Sequence, residues 1–199
     1  MTNAQFPIPI KVMNTVVLNL EPIINLSDEQ FYQLCAVNWD LSLELNATGE
    51  LIIVPLVGGE SGNQEADLIT DLNIWNRQTG LGKVFSSSTI FKLPNGAKRS
   101  PDAAWVKLER WEALSLEERK KFPPLAPDFV LELRSESDRL KPLQDKMLEY
   151  LENGVPLGWL INPQDKQIEI YRQNQSVEVI KIPIKLSGED VLVGFELRL

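Results

Sequence analysis

Residues 129–161 read FVLELRSESDRLKPLQDKMLEYLENGVPLGWLI, and their reading decides the fold. Phe129–Leu133 is a short apolar run with strand composition, RSESDR is a polar loop, and PLQDKMLEYLEN carries Leu143, Met147 and Leu151 at helical spacing. Gly154 stops the helix, and LGWLI is a second apolar strand. Strand, helix and strand within so short a span imply a right-handed crossover between parallel strands. The predicted class is therefore α/β.

Outward from this unit the chain reads as short elements separated by Gly, Pro, Asn and Asp. Ser27-Asp-Glu-Gln30 matches a capping box and opens a helix through FYQLCAV. LSLELNATGELIIVP alternates around Gly49 as a hairpin between Leu41 and Pro55. NQEADLITDLNIWNRQTG follows as a helix ended by Gly80 and Gly82, and KVFSSST and TIFKLPNG lead through an Asn95-Gly96 turn into the strand RSPDAAWV. LERWEALSLEERKKF is helical, with a second capping box at Ser115 and Glu118. KQIEIYR, SVEVIKI and VLVGFEL read as antiparallel strands at the sheet edge. The expectation is a mixed sheet with an early meander, the crossover and edge strands, in one domain over 1–199 with 1–25 as an N-terminal extension.

Composition excludes more than it identifies. Hydrophobic residues make up 43 % and charged residues 24 %, as in ordinary globular chains, and no apolar run approaches the length of a membrane span. The proline-interrupted N-terminus lacks a basic region and cleavage site, so no secretory signal is read and a cytoplasmic location is expected. The single Cys35 cannot form an internal disulfide and suits a core thiol in a reducing compartment. There is no histidine, which removes triads with a histidine base, Cys-His proteases and His-ligated zinc or nuclease sites. The net charge of −8 is the opposite of a typical nucleic-acid binder, though it leaves room for a local basic cleft. Lys98-Arg99 and Arg119-Lys120-Lys121 are the basic groups available for phosphate contact.

Two carboxylates stand out because of where they sit. Asp102 follows Pro101 at the start of one strand, and Glu132 lies inside another. Alternation puts Asp128, Val130, Glu132 and Arg134 on one face. A half-buried carboxylate survives only if it is paired, hydrogen-bonded or bound to a metal. If the two strands are neighbours, Asp102 and Glu132 converge as a hard oxygen site suited to Mg2+ or Mn2+. A cation beside it, Arg134 or the helix-borne Lys146, would complete a minimal phosphodiester hydrolase. The simpler readings are a strand-entry turn for Asp102 and a structural ion pair with Arg134 or Arg99 for Glu132.

The order SPDAAWV, PDFVLELRSESD, LQDKMLEYLENGVPLGWLINP, IEIYR and LSGEDVLVGFEL resembles the Uma-two family of the PD-(D/E)XK nuclease superfamily, abundant in cyanobacteria, over about residues 25 to 199. The resemblance implies a restriction-endonuclease-like core and magnesium-dependent cleavage of DNA. By position Asp102 matches the motif aspartate and Glu132 the motif glutamate, both as metal ligands, while Glu60 resembles the helix-borne acid, with Asn63, Glu65 and Asp67 as neighbouring alternatives. The motif lysine is replaced by Arg134, which makes Lys146 the candidate for a migrated role. The alternative is a catalytically silent nuclease fold that binds nucleic acid or a protein partner. Cutting both strands would suit a homodimer.

Overall fold

The computed structural model describes residues 14–21 and 23–199. In chain order the elements are β1 (Val16–Asn19), α1 (Asp28–Val37), β2 (Ser42–Leu45), β3 (Glu50–Val54), α2 (Gly59–Thr79), β4 (Gly82–Ser86), β5 (Phe91–Lys92), β6 (Lys98–Arg99), β7 (Ala103–Lys107), α3 (Leu108–Glu112), α4 (Leu116–Lys120), β8 (Phe129–Leu133), α5 (Leu140–Glu152), β9 (Leu157–Asn162), β10 (Gln167–Arg172), β11 (Glu178–Lys181), β12 (Lys185–Ser187) and β13 (Glu196–Arg198). Both capping boxes form, Ser27 with Gln30 and Ser115 with Glu118. Of the expected N-terminal extension, residues 1–13 and 22 lie outside the described residues, and β1 pairs antiparallel with β3. Among the described residues no helix is long and apolar enough to cross a membrane.

The crossover unit forms the centre of a six-stranded sheet ordered β11-β10-β9-β8-β7-β4, in which β8 and β9 are parallel and every other neighbouring pair is antiparallel. All residues of β8 and β9 are buried, because both faces are covered. Phe129, Leu131 and Trp159 pack with Leu72 and Trp75 of α2 and with Phe195. On the opposite face Val130, Ala104 and Leu160 pack with Met147 and Tyr150 of α5. Burying each such side chain contributes roughly 1.5–3 kcal/mol. Gly158 brings α5 close to this face, since a Cβ there would lie 2.5 Å from Met147 Cε and 3.2 Å from Val130 Cγ2.

The mixed sheet expected from sequence is in fact divided. The early strands form a separate five-stranded sheet, β1-β3-β2-β6-β5, and β12 and β13 form a two-stranded ribbon. Leu43, Leu45 and Leu51 of the five-stranded sheet pack with Phe31 of α1. The division occurs at Ser100-Pro101, between β6 in one sheet and β7 in the other. Pro101 has no N–H with which to continue a ladder, and the Ser100 hydroxyl lies within hydrogen-bond distance of two acceptors, the carbonyls of Ser87 and Thr89. VLVGFEL yields only β13 because Gly194 adopts a left-handed φ of 76°, which ends any extended run there. The α/β class, the parallel crossover and the β10–β11 edge hairpin are as expected.

Candidate active site

The seam between the two sheets carries the charged side chains. Ala103 is registered with Leu131 and Ala104 with Val130, so one further step places Asp102 across from Glu132. The even-numbered residues of both strands face α5. Asp102 is half-buried, and its Oδ2 accepts the Leu133 backbone N–H at 2.6 Å. Glu132 is only 3 % exposed.

Lys146 reaches this pair from α5. Its Nζ lies 2.8 Å from Glu132 Oε1 and 2.8 Å from Glu44 Oε1, and it donates to the Ser100 carbonyl at 3.1 Å. One helical turn later Tyr150 donates its hydroxyl to the same Glu132 Oε1 at 3.1 Å. Lys146 and Tyr150 therefore hold one oxygen of Glu132 and leave Oε2 directed by that grip.

Glu44 comes from β2 in the five-stranded sheet and is buried. It accepts the Ser100 N–H at 2.9 Å on Oε1 and the Arg99 guanidinium at 3.0 Å on Oε2. Arg99 also donates through Nε to Glu149 of α5 at 2.5 Å. Sequence reasoning missed Glu44, Tyr150 and Glu149. Glu44 alternates with Leu43 and Leu45, a pattern that reads as the solvated side of a hairpin, and only the packing of the second sheet encloses it.

Burial, and secondarily the charge of Glu132, push the Asp102 carboxyl well above the usual carboxylate range. Burial raises Glu132 as well, against the opposing pull of Lys146. Burial would also raise Glu44, but Lys146 and Arg99 outweigh it and hold that carboxyl below its ordinary value. Burial alone would lower Lys146, yet Glu132, Glu44 and Asp102 together hold its ammonium above the ordinary lysine range. Burial and Glu132 keep the Tyr150 phenol well above its usual range.

Of the side chains expected from sequence, Asp102, Glu132 and Lys146 come together, and Arg134 and Glu60 do not join them. Arg134 follows the last residue of β8, and its guanidinium turns to Asp165 at 3.1 Å, Asn162 at 3.2 Å and the Asp138 carbonyl at 3.3 Å. Glu60 is exposed in the first turn of α2. Glu65, among the alternatives on that helix, is half-buried, bonds Ser87 Oγ at 2.5 Å and adds its charge at Asp102. Lys98 pairs with Asp28 at 2.9 Å, and Arg119 donates to the Glu112 carbonyl. Lys120 and Lys121 are exposed and pair with Glu117 and Glu29.

The cluster opens into a cleft of about 790 Å3, walled by Ile52 and Val54 of β3 on one side and Leu143 and Arg139 near the start of α5 on the other. No group of three or more metal-ligating His, Cys, Asp or Glu side chains occurs among the described residues. The donor set is the carboxylate pair, with Asp102 Oδ1 and Glu132 Oε2 making no hydrogen bond to described residues. That set fits Mg2+, which keeps several waters and takes one or two carboxylates, better than a cation that demands a full protein cage.

No curated protein matches the sequence. Among solved structures it resembles a putative nuclease from Anabaena variabilis, at 19 % identity and a TM-score of 0.67, over 78 % of this chain and 86 % of the other. A likeness at that identity concerns the fold. The sequence match extends further, running over residues 28–199 to the Uma2 family, whose description is "putative restriction endonuclease", and the chain belongs to that family.

Proposed function

We propose that the chain is a divalent-metal-dependent endonuclease that hydrolyses phosphodiester bonds of DNA at Asp102, Glu132 and Lys146. The observation that carries the reading is the register of β7 and β8, which sets Asp102 across from Glu132 on the face that Lys146 reaches. Membership of a family described as "putative restriction endonuclease", and likeness to a structure titled "a putative nuclease", support nuclease chemistry.

Asp102 and Glu132 would hold Mg2+ or Mn2+. When bound, such a cation neutralises phosphate charge and lowers the pKa of a water that it holds. The protein's own residues supply the rest. Lys146 and Tyr150 fix one oxygen of Glu132, so the other keeps a single orientation. Lys146 stays protonated, so it contributes a positive charge and cannot act as a base. Tyr150 likewise keeps its proton and acts as a donor. Burial and the charge of Glu132 hold the Asp102 carboxyl above the usual carboxylate range, so it would release its proton on holding a cation.

A second reading has one specific observation in its favour. An ammonium has three hydrogens, and those of Lys146 face Glu44, Glu132 and the Ser100 carbonyl, so none is left for a phosphate. A catalytically silent fold that binds nucleic acid or a protein partner would look the same. Incubation with supercoiled plasmid, single-stranded circular DNA and RNA, with millimolar Mg2+ or Mn2+ or with EDTA, separates the two. Metal-dependent nicking of DNA supports the enzyme; inertness toward all substrates with either metal supports the silent fold. Linear product without accumulation of nicked circles would indicate a homodimer acting on both strands.

A further inference from the structure

We propose that Glu44 sets the affinity of the site for a divalent cation by cancelling the charge of Lys146, without itself ligating the metal. The inference rests on the metal-dependent reading given above and assigns the residue that tunes it.

The geometry separates Glu44 from the candidate ligands. Its Oε1 accepts from both Lys146 and the Ser100 N–H, and its Oε2 accepts from Arg99. Its oxygens are committed to protein donors, whereas Asp102 Oδ1 and Glu132 Oε2 make no hydrogen bond to described residues. Glu44 also belongs to the other sheet, and it is tied to the site through Lys146, Arg99 and the Ser100 N–H.

Charge gives it a purpose beyond pairing. Lys146 sits on Glu132, and a cation in direct contact with one carboxylate of a two-carboxylate site opposes metal binding. In the hydrogen-bonded network the carboxylates of Glu44, Glu132 and Glu149 face only Lys146 and Arg99. One negative charge is left uncompensated beside the Asp102 carboxyl, and Glu65 adds to it from α2. Without Glu44 the deficit of positive charge falls by one, and Lys146 is left to Glu132 alone. Residues that contact ligands without touching the metal commonly alter metal affinity by about 10–100-fold.

The test is a Mn2+ affinity measurement by electron paramagnetic resonance or calorimetry, at fixed pH and well below the melting temperature. It compares wild type with Glu44→Gln, Glu44→Asp, Lys146→Met and the double variant Glu44→Gln/Lys146→Met. Glu44→Gln weakens binding by about tenfold or more, Glu44→Asp stays within a few-fold of wild type, Lys146→Met tightens binding, and the double variant returns close to wild type. A double variant that binds as weakly as Glu44→Gln overturns the proposal, because a ligand or a purely structural residue is not rescued by removing its counter-charge. If Glu44→Gln does not fold, Lys146→Met decides alone, and unchanged or weaker binding overturns the proposal. Asp102→Asn is the reference: if it abolishes Mn2+ binding while Glu44→Gln leaves it unchanged, the inference fails and the metal-dependent reading stands. Absence of Mn2+ binding by wild type overturns both.

Discussion

Lys146 Nζ lies 2.8 Å from Glu132 Oε1, although Lys146 is on α5 and Glu132 is in β8. Glu132 is buried and the Lys146 side chain is 12 % exposed, and the same ammonium also holds the buried Glu44 of the neighbouring sheet. One side chain thereby joins the strand that carries a candidate ligand, the helix above it and the second sheet.

Removing that side chain leaves two buried carboxylates short of a counter-charge. Lys146→Met should lower unfolding stability by about 3–5 kcal/mol, the usual cost of breaking a buried pair from one side. Denaturant titration at neutral pH measures this, and a loss under about 1 kcal/mol would mean that the pair is not buried as described. DNA cleavage should be lost as well, since Glu132 loses its orienting partner.

Asp102 should make stability depend on pH. Burial, then Glu132, raise its folded carboxyl well above the ordinary value of 3.8. The unfolded chain therefore gives up this proton first, so the contribution of Asp102 to stability is full below pH 3.8 and is lost as pH climbs through the raised folded value. Metal-free Asp102→Asn should accordingly be more stable than wild type at neutral pH, with the advantage vanishing in acid. Unfolding curves across that range check it. Mn2+ should raise the melting temperature of wild type and leave that of Asp102→Asn unchanged.

Arg134 should be dispensable for cleavage. Its guanidinium pairs with Asp165, which is half in solvent, so Arg134→Ala should cost no more than about 1 kcal/mol and leave the cleavage rate within about twofold, as expected of a cation outside the site. A loss of catalysis at unchanged stability would return Arg134 to the catalytic role that the sequence allowed.

The two acids of α2 should behave differently. Glu60→Gln should not affect cleavage, because Glu60 is exposed in the first turn. Glu65→Gln should alter both the metal dependence and the rate, because its charge acts on Asp102. Equal effects, measured across a Mn2+ titration, would contradict the assignment.

What the sequence disclosed follows from how local each signal is. Glu132 was legible because a carboxylate within a continuous apolar strand needs a partner, and Asp102 because Pro101 placed it at a strand entry. Lys146 was legible from its place on the flank of the α5 stripe. Arg134 misled because strand alternation was carried one residue past Leu133, where β8 ends and the side chain is free to turn toward Asp165. The two-sheet division was hidden because β5 and β6 are two residues each, too short to carry a period. Glu44 was hidden for the same reason: its environment is made by a different sheet, through long-range packing that alternation within SLEL does not encode.

The most direct test of the central claim is single-turnover cleavage of labelled DNA with Mg2+ or Mn2+ by wild type, Asp102→Asn and Glu132→Gln, with folding of each variant verified by its melting curve. Metal-dependent cleavage by wild type that disappears in both folded variants is the predicted result. Cleavage that survives in either variant, or a wild type inert with both metals, would contradict the assignment of Asp102 and Glu132 as the hydrolytic centre.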